Sequence, residues 1–382
     1  MLALPSKLPA VGTTIFTVMS RLAAEHGAIN LSQGFPDFSP PPRLPERVAH
    51  HMAAGANQYA PMAGVARLRE AIAAKVGRLY DARFDPETEI TVTAGATQAI
   101  FTAIAACVRP GDEVIVFAPV YDSYVPAIEV VGGRAVFARL RHPDYLPDWD
   151  EVRSLVTPHT RMIVFNTPHN PTGTVWSATD LDQLADLVRG TDIVLLADEV
   201  YEHVVFDGRR HESTARHAEL RERSFVVSSF GKTYHVTGWK VAYCLAPAAL
   251  SAEFRKVHQF NVFAVNHPMQ AAIADFMVEA PEFATGLAGF YQARRDFFRR
   301  QLDRSRFDPL PCAGTYFQLC AYGRISDEPD TEFVRRLTRE HGVAAIPVSV
   351  FTPDGEDRRV IRFCFAKGEE TLTAAGERLR RV

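Results

Sequence analysis

The feature that most constrains the fold is a series of short apolar runs in the middle of the chain, rich in Val, Ile and Phe and separated by longer segments with helical spacing. Short strands that alternate with helices favour a mostly parallel sheet with helices on both faces. The runs predict seven strands: Ile90–Thr93, Val114–Phe117, Ala135–Phe137, Met162–Asn166, Ile193–Ala197, Phe225–Ser229 and Val241–Leu245. We therefore expect an α/β fold whose ligand lies at the edge where the strands end.

The segments around this sheet suggest how the chain is divided. Residues 46–290 predict a large central domain, and residues 291–382 predict a smaller α/β domain. Residues 1–45 are rich in proline and turn residues and predict an N-terminal arm that completes the smaller domain. The clearest further elements are the helices Ser177–Val188, with a capping-box start, and Thr331–His341, stopped by Gly342, and the strands Tyr316–Cys320 and Val360–Phe365.

Composition argues against several classes of partner. The 382 residues carry 42 Lys and Arg against 45 Asp and Glu, a net charge of −3, so we expect no nucleic-acid partner. The N-terminus lacks the apolar core of a signal peptide, and we expect the mature chain to be the whole chain. The uncharged stretch Ile90–Val108 contains four threonines, which favours a buried strand, turn and helix over a membrane span.

The five cysteines also indicate the compartment. They are odd in number and lie too far apart for a metal knuckle or a redox pair, so buried free thiols are the simpler interpretation. We expect a cytoplasmic protein without a metal site or a membrane partner, whose ligand is a small molecule or a second copy of the chain.

A lysine directly follows one predicted strand, within Val226–Lys240. Its Gly-Lys-Thr is not a P-loop, because that motif requires glycine where this chain has Val226. No Gly-x-Gly occurs in the chain, so the dinucleotide fingerprint is also missing. Lys232 is either a Schiff-base amine beside an anion site that includes Lys240, or a solvated surface lysine.

Polar residues at neighbouring strand ends favour the first interpretation. Asn170 lies in a polar turn after one strand, and Asp198 and Tyr201 follow the next. An acid at the end of an apolar strand is costly unless it has a partner. The alternatives are a helix N-cap for Asp198 and an Asx turn for Asn170. An amine, a carboxylate, an amide and a phenol at one edge are what an anionic pyridine cofactor requires.

With these motifs the chain resembles the pyridoxal-phosphate-dependent class I/II aminotransferases of fold type I, and most closely the bacterial methionine aminotransferases and their kynurenine and glutamine transaminase K relatives. The resemblance spans nearly the whole chain. It is carried by LSQGFPDF (31–38), GANQYAP (55–61), TVTAGATQA (91–99), NTPHNPTG (166–173), ADEVYEH (197–203), SSFGKTYHVTGWK (228–240), GTYF (314–317), AAIPVSVF (344–351) and IRFCFAK (361–367).

The resemblance implies pyridoxal 5′-phosphate as cofactor and catalytic roles for three residues. Lys232 would bind the cofactor aldehyde and, once freed, move the proton from the substrate α-carbon. Asp198 would keep the pyridine nitrogen protonated. Tyr201 would contact the phenolic oxygen of the ring together with Asn170, and Lys240 would bind the phosphate.

Further residues complete the expected cofactor site. The turn Gly95-Ala96-Thr97 would present backbone N–H groups to the phosphate, and Ser229 would add a hydroxyl. A tight strand-to-helix turn is the alternative for Gly95. Tyr121 would stack on the cofactor ring, with a packed core tyrosine as the alternative.

The resemblance also implies how substrate and a second subunit take part. Arg362 would grip the substrate α-carboxylate with its planar fork, facing the Gly34 backbone, and Asn170 would also contact the substrate. Tyr59 would reach the cofactor phosphate of the partner in a homodimer, where a polar turn is the alternative.

The expected substrates are neutral. The apparent pocket residues Phe35, Tyr59, Tyr121 and Phe351 are aromatic, so methionine should be preferred, followed by aromatic amino acids or glutamine, with a 2-oxo acid as acceptor in a ping-pong reaction. The alternatives are a carbon–sulfur β-lyase acting on cysteine conjugates, or kynurenine aminotransferase activity, in the same site. A cofactor-binding regulatory protein is disfavoured by the negative charge.

Overall fold

The structure, a computed structural model, describes residues 5–382. Its strands, in chain order, are β1 (Ile29–Asn30), β2 (Ile90–Thr93), β3 (Glu113–Ala118), β4 (Arg134–Arg139), β5 (Thr160–Asn166), β6 (Val194–Asp198), β7 (Ser224–Ser229), β8 (Ala242–Leu245), β9 (Asp308–Pro309), β10 (Phe317–Ala321), β11 (Val343–Ala344), β12 (Ile346–Pro347) and β13 (Val360–Cys364).

Helices cover the sheet and connect its strands. They are α1 (Ile15–Glu25), α2 (Arg43–Ala53), α3 (Ala66–Tyr80), α4 (Ala96–Cys107), α5 (Tyr124–Val130), α6 (Trp149–Leu155), α7 (Ala178–Val188), α8 (Ala218–Arg221), α9 (Phe230–Thr233), α10 (Ala248–Asn261), α11 (His267–Glu279), α12 (Glu282–Leu302), α13 (Asp330–His341) and α14 (Glu369–Leu379). Short 3₁₀ turns occupy Thr214–Arg216, Thr237–Trp239 and Ser349–Phe351.

A seven-stranded sheet of order β2-β8-β7-β6-β5-β3-β4 forms the centre of the molecule. Strands β3 to β7 pair in parallel, and only β8 runs antiparallel to its neighbours. The prediction of a mostly parallel seven-stranded sheet is confirmed. The observed strand bounds differ from the predicted ones by at most two residues. Strand β6 ends one residue later than expected, so Asp198 closes the strand and pairs in register with Asn166 of β5.

Both faces of this sheet are apolar, which is why its strands contain near-continuous hydrophobic runs. In β3, Ile115 and Phe117 belong to the hydrophobic cluster that includes α3 and α7, whereas Val114 and Val116 belong to the one with α4, α5 and α10. Successive side chains of a strand point to opposite faces, so a strand covered on both sides needs apolar residues at every position.

Several local predictions are also confirmed. Ser177 and Asp180 form a reciprocal capping box at the start of α7. Gly342 ends α13 in a left-handed conformation, with φ 66°. The stretch Ile90–Val108 forms β2, a turn and α4. No helix within residues 5–382 is long and apolar enough to cross a membrane.

The two ends of the described chain pack against each other. Met19 and Leu22 of α1 share a hydrophobic cluster with Phe333 of α13 and Leu379 of α14. A four-stranded antiparallel sheet, β12-β13-β10-β9, and the parallel pair β1-β11 lie in this part of the molecule. The boundaries expected near residues 45 and 290 fall within α2 and α12, so both helices continue across them.

A buried polar network joins the α3 helix to the central sheet. The Lys75 amine donates to Glu202 Oε1 at 2.5 Å and to the Tyr243 hydroxyl at 2.6 Å. The hydroxyls of Tyr80 and Ser228 donate to the same carboxylate. Burial alone would raise the pKa of Glu202, but Lys75 and these hydrogen bonds hold that pKa well below its ordinary value. Glu202 is therefore an ionised group in the core, stabilised by a full set of donors.

Removal of the Lys75 charge should destabilise the fold. Lys75→Met leaves the buried Glu202 carboxylate without its counter-charge, and we expect the free energy of unfolding to fall by ~3–5 kcal/mol. Urea denaturation measures the loss. Lys256→Met is a matched control, because the pair between Lys256 and Glu253 is exposed and should contribute less than ~1 kcal/mol. Equal losses in the two variants would contradict the assignment.

Candidate active site

A cavity of about 330 Å³ opens where the central strands end. It brings together residues that are far apart in the sequence, from β5, β6, β7, α4, β13 and the segment after β1. The sequence-predicted residues that line it are Gly34, Gly95, Ala96, Thr97, Tyr121, Asn170, Asp198, Tyr201, Ser229, Lys232, Lys240 and Arg362. Three predicted pocket residues, Tyr59, Phe35 and Phe351, do not line it. Tyr59 is 81% exposed on the surface and packs against Phe263, with ring centroids 5.1 Å apart.

Lys232 lies in the short helix α9, directly after strand β7. Its amine is 2.8 Å from the Tyr316 hydroxyl and 3.1 Å from the Gly34 carbonyl oxygen. Burial lowers the pKa of this amine to about 8, and the nearby positive charges of Arg362 and Lys240 act in the same direction. Near pH 8, Lys232 is therefore a neutral amine in a large fraction of the molecules.

Asp198 is buried at the end of β6 and accepts a hydrogen bond of 2.5 Å from the Tyr124 hydroxyl. Burial raises the pKa of this carboxyl to about 6, while the bonds from Tyr124 and the Val200 N–H oppose the shift. Tyr201, one turn further on, is buried with its ring 5.5 Å from the Lys232 amine. Burial raises the pKa of Tyr201 well above its ordinary value, so the phenol keeps its proton.

Arg362 of β13 is fully buried and fixes the amide of Asn170. One guanidinium nitrogen donates to Asn170 Oδ1 at 2.7 Å, and another donates to the Ser32 carbonyl at 3.0 Å. The guanidinium carbon lies 3.9 Å from the centre of the Phe317 ring. The Asn170 oxygen is turned toward Arg362, which leaves its NH₂ group free to donate into the cavity. The buried Nε of Arg362 has no hydrogen-bond partner within the described chain.

The turn before α4 forms a cradle beside Lys240. Gly95 has a φ of +82°, and a Cβ atom at this position would lie 2.9 Å from the Lys240 amine. The positive φ favours glycine here, and the missing side chain lets the Lys240 amine lie against the backbone of the turn. The first backbone N–H groups of α4 and the Lys240 ammonium group therefore lie in the same part of the cavity. The residues Thr97 and Ser229, which carry hydroxyls, also line this cavity. N–H groups, hydroxyls and an ammonium group are the donors that a phosphate dianion requires.

The aromatic wall differs from the sequence-based expectation. Tyr121 lines the cavity, but neither Phe35, which is 45% exposed, nor the buried Phe351 is part of the lining. Phe16 and Phe317 form the wall instead. Their positions depend on packing between the two ends of the chain, which the local sequence does not reveal.

Sequence reasoning also missed three polar residues. Tyr124 donates to Asp198, and Tyr316 contacts Lys232. The Asn166 side chain donates to the Asp198 carbonyl at 2.7 Å and accepts from the Asn170 N–H at 2.7 Å. Asn166 carried a signal, since it is a polar residue that ends a buried strand. Tyr124 carried none, because a tyrosine in an apolar segment is usually read as core. Tyr316 lies in the motif GTYF (314–317), but the motif alone did not assign it a role.

The fold and this site define a pyridoxal-phosphate-dependent transferase. The chain belongs to the aminotransferase class I and II family, which it matches over residues 26–379. It is an aminotransferase that depends on pyridoxal 5′-phosphate, as its family does. The cradle at Gly95 suits the phosphate of this cofactor, and the Asp198 carboxyl and Lys232 amine suit its ring nitrogen and its aldehyde.

Individual relatives cover nearly the full chain. Methionine aminotransferase of Escherichia coli is 55% identical over 99% of this chain and 98% of its own length. Human kynurenine–oxoglutarate transaminase 1 is 35% identical over 94% of both chains. The solved structure of YbdL from Escherichia coli, for which a methionine aminotransferase function was identified, is 54% identical, covers 100% of both chains and has a TM-score of 0.98.

The raised pKa of Asp198 predicts how the cofactor-free protein responds to pH. The carboxyl has a pKa of about 6 against an ordinary value of 3.8, so the folded chain binds this proton more tightly than the unfolded chain. Its contribution to stability is therefore lost as the pH rises from about 4 through about 6. Because the amide does not ionise, we expect Asp198→Asn to raise the free energy of unfolding at pH 8 by about 3 kcal/mol, from 1.36 kcal/mol per pKa unit.

This gain should shrink toward pH 4, which denaturation of the cofactor-free protein at both pH values measures. The same variant should retain the cofactor less well at pH 8, because the ring nitrogen loses its counter-charge. A gain in stability that is independent of pH would contradict the assignment of this pKa to Asp198.

Proposed function

We propose that this enzyme transfers the amino group of a neutral L-amino acid, with methionine preferred, to a 2-oxo acid by a ping-pong mechanism. Aromatic amino acids and glutamine are the expected secondary donors. The observation that carries the proposal is the composition of the cavity. Its described lining contains three cations, Lys232, Lys240 and Arg362, and otherwise mainly apolar and uncharged groups. The proposed reaction uses these cations for the cofactor aldehyde, the cofactor phosphate and the substrate α-carboxylate, so none is left to bind a charged substrate side chain.

This proposal assigns roles to most of the polar residues of the cavity. Pyridoxal 5′-phosphate supplies the electron sink that stabilises negative charge at the substrate α-carbon. Lys232 would bind the cofactor aldehyde, and its free amine would carry the proton from the substrate α-carbon. Asp198 holds the proton on the ring nitrogen. Asn170 and Tyr201 contact the phenolic oxygen, and Tyr121 stacks on the ring.

Phosphate and carboxylate are bound at opposite ends of the cavity. Gly95, Ala96, Thr97, Ser229 and Lys240 form the phosphate site, supported by the positive φ of Gly95 and its closeness to Lys240. At the other end Arg362 binds the substrate carboxylate, and Asn170 contributes its NH₂ group.

The backbone of Gly34 belongs to the carboxylate end. Its carbonyl oxygen already accepts from the Tyr316 hydroxyl at 2.6 Å, so its N–H is the group that meets the substrate carboxylate.

The preference for methionine rests on the wall and on the relatives. Phe16 and Phe317 offer aromatic faces, against which a thioether packs as well as a ring. A carboxylate on the substrate side chain would need a further cation, and the described lining offers none beyond the three already in use. Methionine is also the substrate in the names of the Escherichia coli relatives.

A homodimer completes the site in this proposal. Tyr59 forms an exposed aromatic patch with Phe263, and Phe260, three residues earlier in the chain than Phe263, is 91% exposed. Such patches mark protein interfaces. From there Tyr59 reaches the cofactor phosphate of the partner. We further propose a cytoplasmic enzyme, since its five cysteines are free thiols and four of them are buried.

A half-reaction panel tests the substrate proposal. The holoenzyme is mixed with single amino acids, and conversion of the cofactor to its amino form is followed by absorbance. We expect methionine to react fastest, and aspartate to react slower than methionine by roughly 100-fold, because its second carboxylate is desolvated without a partner. Equal rates for aspartate and methionine would overturn the preference.

The carboxylate role of Arg362 has its own test. Arg362→Lys loses the planar fork, and we expect the apparent affinity for methionine to fall about 10- to 100-fold, in line with ~1.5–3 kcal/mol for a hydrogen bond to a charged group. Arg359→Lys is the matched control, because Arg359 is nearly half exposed and pairs with Asp327 at the surface. Equal affinities in the two variants would contradict the role.

Hybrid dimers test whether Tyr59 acts across subunits. A dimer of one Lys232→Ala chain and one Tyr59→Phe chain contains one intact site only if Tyr59 serves the partner's cofactor. We expect mixing to yield sites with the cofactor affinity and activity of the wild type, up to one per hybrid dimer. If Tyr59 acts within its own subunit, no intact site forms and no such population is seen.

A further inference from the structure

The hydrogen bonds around Lys232 have an unambiguous direction. The Gly34 carbonyl oxygen can only accept, so the Tyr316 hydroxyl, 2.6 Å away, uses its one proton to donate to it. The Tyr316 oxygen therefore accepts from the Lys232 amine at 2.8 Å. The Gly34 carbonyl accepts a second N–H of the amine at 3.1 Å. A neutral amine has two N–H bonds and one lone pair, and here both N–H bonds have assigned acceptors.

We propose that Tyr316 is a positioning residue for proton transfer, which together with the Gly34 carbonyl holds both N–H bonds of the free Lys232 amine and so directs its lone pair into the cavity. This inference rests on the proposed function, because it refers to the state in which Lys232 is released and takes up the α-proton. Without Tyr316 the amine can rotate about its Cε–Nζ bond, and its lone pair points into the cavity only part of the time.

The backbone holds Tyr316 in a fixed place. Thr315 has a φ of +64°, which is unusual for a β-branched residue. Its N–H donates to the Val204 carbonyl at 2.9 Å. At Gly314 a Cβ atom would lie 2.8 Å from the Val204 carbonyl oxygen and 2.7 Å from Val175. A strained, tightly enclosed turn before a side chain that meets the reacting amine is typical of functional sites.

Tyr316 also has the right electrical character for this role. It is fully buried, and burial raises the pKa of its phenol well above the ordinary value, so it stays uncharged. The charged side chains that face Lys232 are Asp198 from β6, Arg362 from β13 and Lys240 after the 3₁₀ turn Thr237–Trp239. The Tyr201 phenol and the Cys364 thiol, the other titratable groups nearby, stay neutral because burial raises the pKa of each.

Tyr316→Phe removes only the hydroxyl oxygen and is the main test. In the half-reaction with methionine we expect the rate of cofactor conversion to fall roughly 10- to 100-fold while the binding constant for methionine changes less than about 3-fold. The isotope effect of α-deuterated methionine should rise, because proton transfer becomes more rate-limiting. Cofactor affinity should stay at the wild-type value.

A second readout does not depend on turnover. In the cofactor-free protein, NMR titration of the ¹³C-labelled Lys232 side chain reports its pKa. An acceptor stabilises the ammonium form more than the amine, so Tyr316→Phe should move the pKa of Lys232 below the wild-type value of about 8. If Tyr316 had only a structural role, a Tyr316→Phe variant with the thermal stability of the wild type would show the same Lys232 pKa as the wild type.

Tyr291→Phe is the matched control. The Tyr291 hydroxyl is buried without a hydrogen-bond partner within the described chain, and its ring lies 5.6 Å from that of Tyr316. This variant loses a hydroxyl from the same aromatic cluster and should behave as the wild type in both readouts. Replacement of Tyr316 by 3-fluorotyrosine keeps the hydroxyl and should restore the rate.

The outcomes separate this inference from the proposed function. If the wild type converts methionine and Tyr316→Phe matches it in rate, isotope effect and Lys232 titration, the positioning role is wrong. If Tyr291→Phe slows the reaction as much as Tyr316→Phe does, the effect belongs to the packing of the cluster and the role is also wrong. If the wild type shows no conversion with any amino acid, the proposed function fails, whereas the titration still tests the hydrogen bond.

Discussion

The site is organised around an electrostatic imbalance. Three cations, Lys232, Lys240 and Arg362, face one cavity, and Asp198 is the carboxylate among its described lining residues. Like charges in a partly desolvated space repel each other, and burial adds a desolvation cost to each. The cavity is therefore suited to anions. A phosphate near Lys240 and a carboxylate near Arg362 would supply the missing negative charge. In the unliganded cavity, burial and the neighbouring cations lower the pKa of Lys232.

Hydrogen bonds between neighbouring strand ends connect Asp198 to Arg362. Asn166 and Asp198 pair in register at the ends of β5 and β6, and the Asn166 amide bridges from the Asp198 carbonyl to the Asn170 N–H. Asn170 in turn accepts from Arg362, which belongs to the sheet built near the C-terminus. The distance between Asp198 and Arg362 is thus set by one chain of hydrogen bonds that crosses from the central sheet to the smaller one.

The sequence predicted those parts of the site that follow directly from local order. Buried parallel strands end at or within four residues before Asp198, Lys232 and Asn170. The ends of such strands meet at one edge of the sheet, independently of the conformation of the loops. Tyr316, Phe16 and Phe317 could not be found in this way, because they reach the cavity only when the ends of the chain pack against the central sheet. Their residue types are the same as those of core residues. Tyr59 shows a further limit, since a single chain leaves it on the surface.

In the role proposed for Lys232, the choice of a phenol as its partner follows from what a proton carrier needs. A carboxylate at the position of the Tyr316 hydroxyl would orient the amine equally well, but its negative charge would stabilise the ammonium form and raise the pKa of Lys232. The amine would then hold its proton instead of accepting one. A buried phenol stays neutral, and its single proton is already given to the Gly34 carbonyl, so it offers the amine an acceptor without a counter-charge. Neutral oxygens fix the direction of the amine and raise its pKa less than a carboxylate would, while burial and the neighbouring cations lower that pKa.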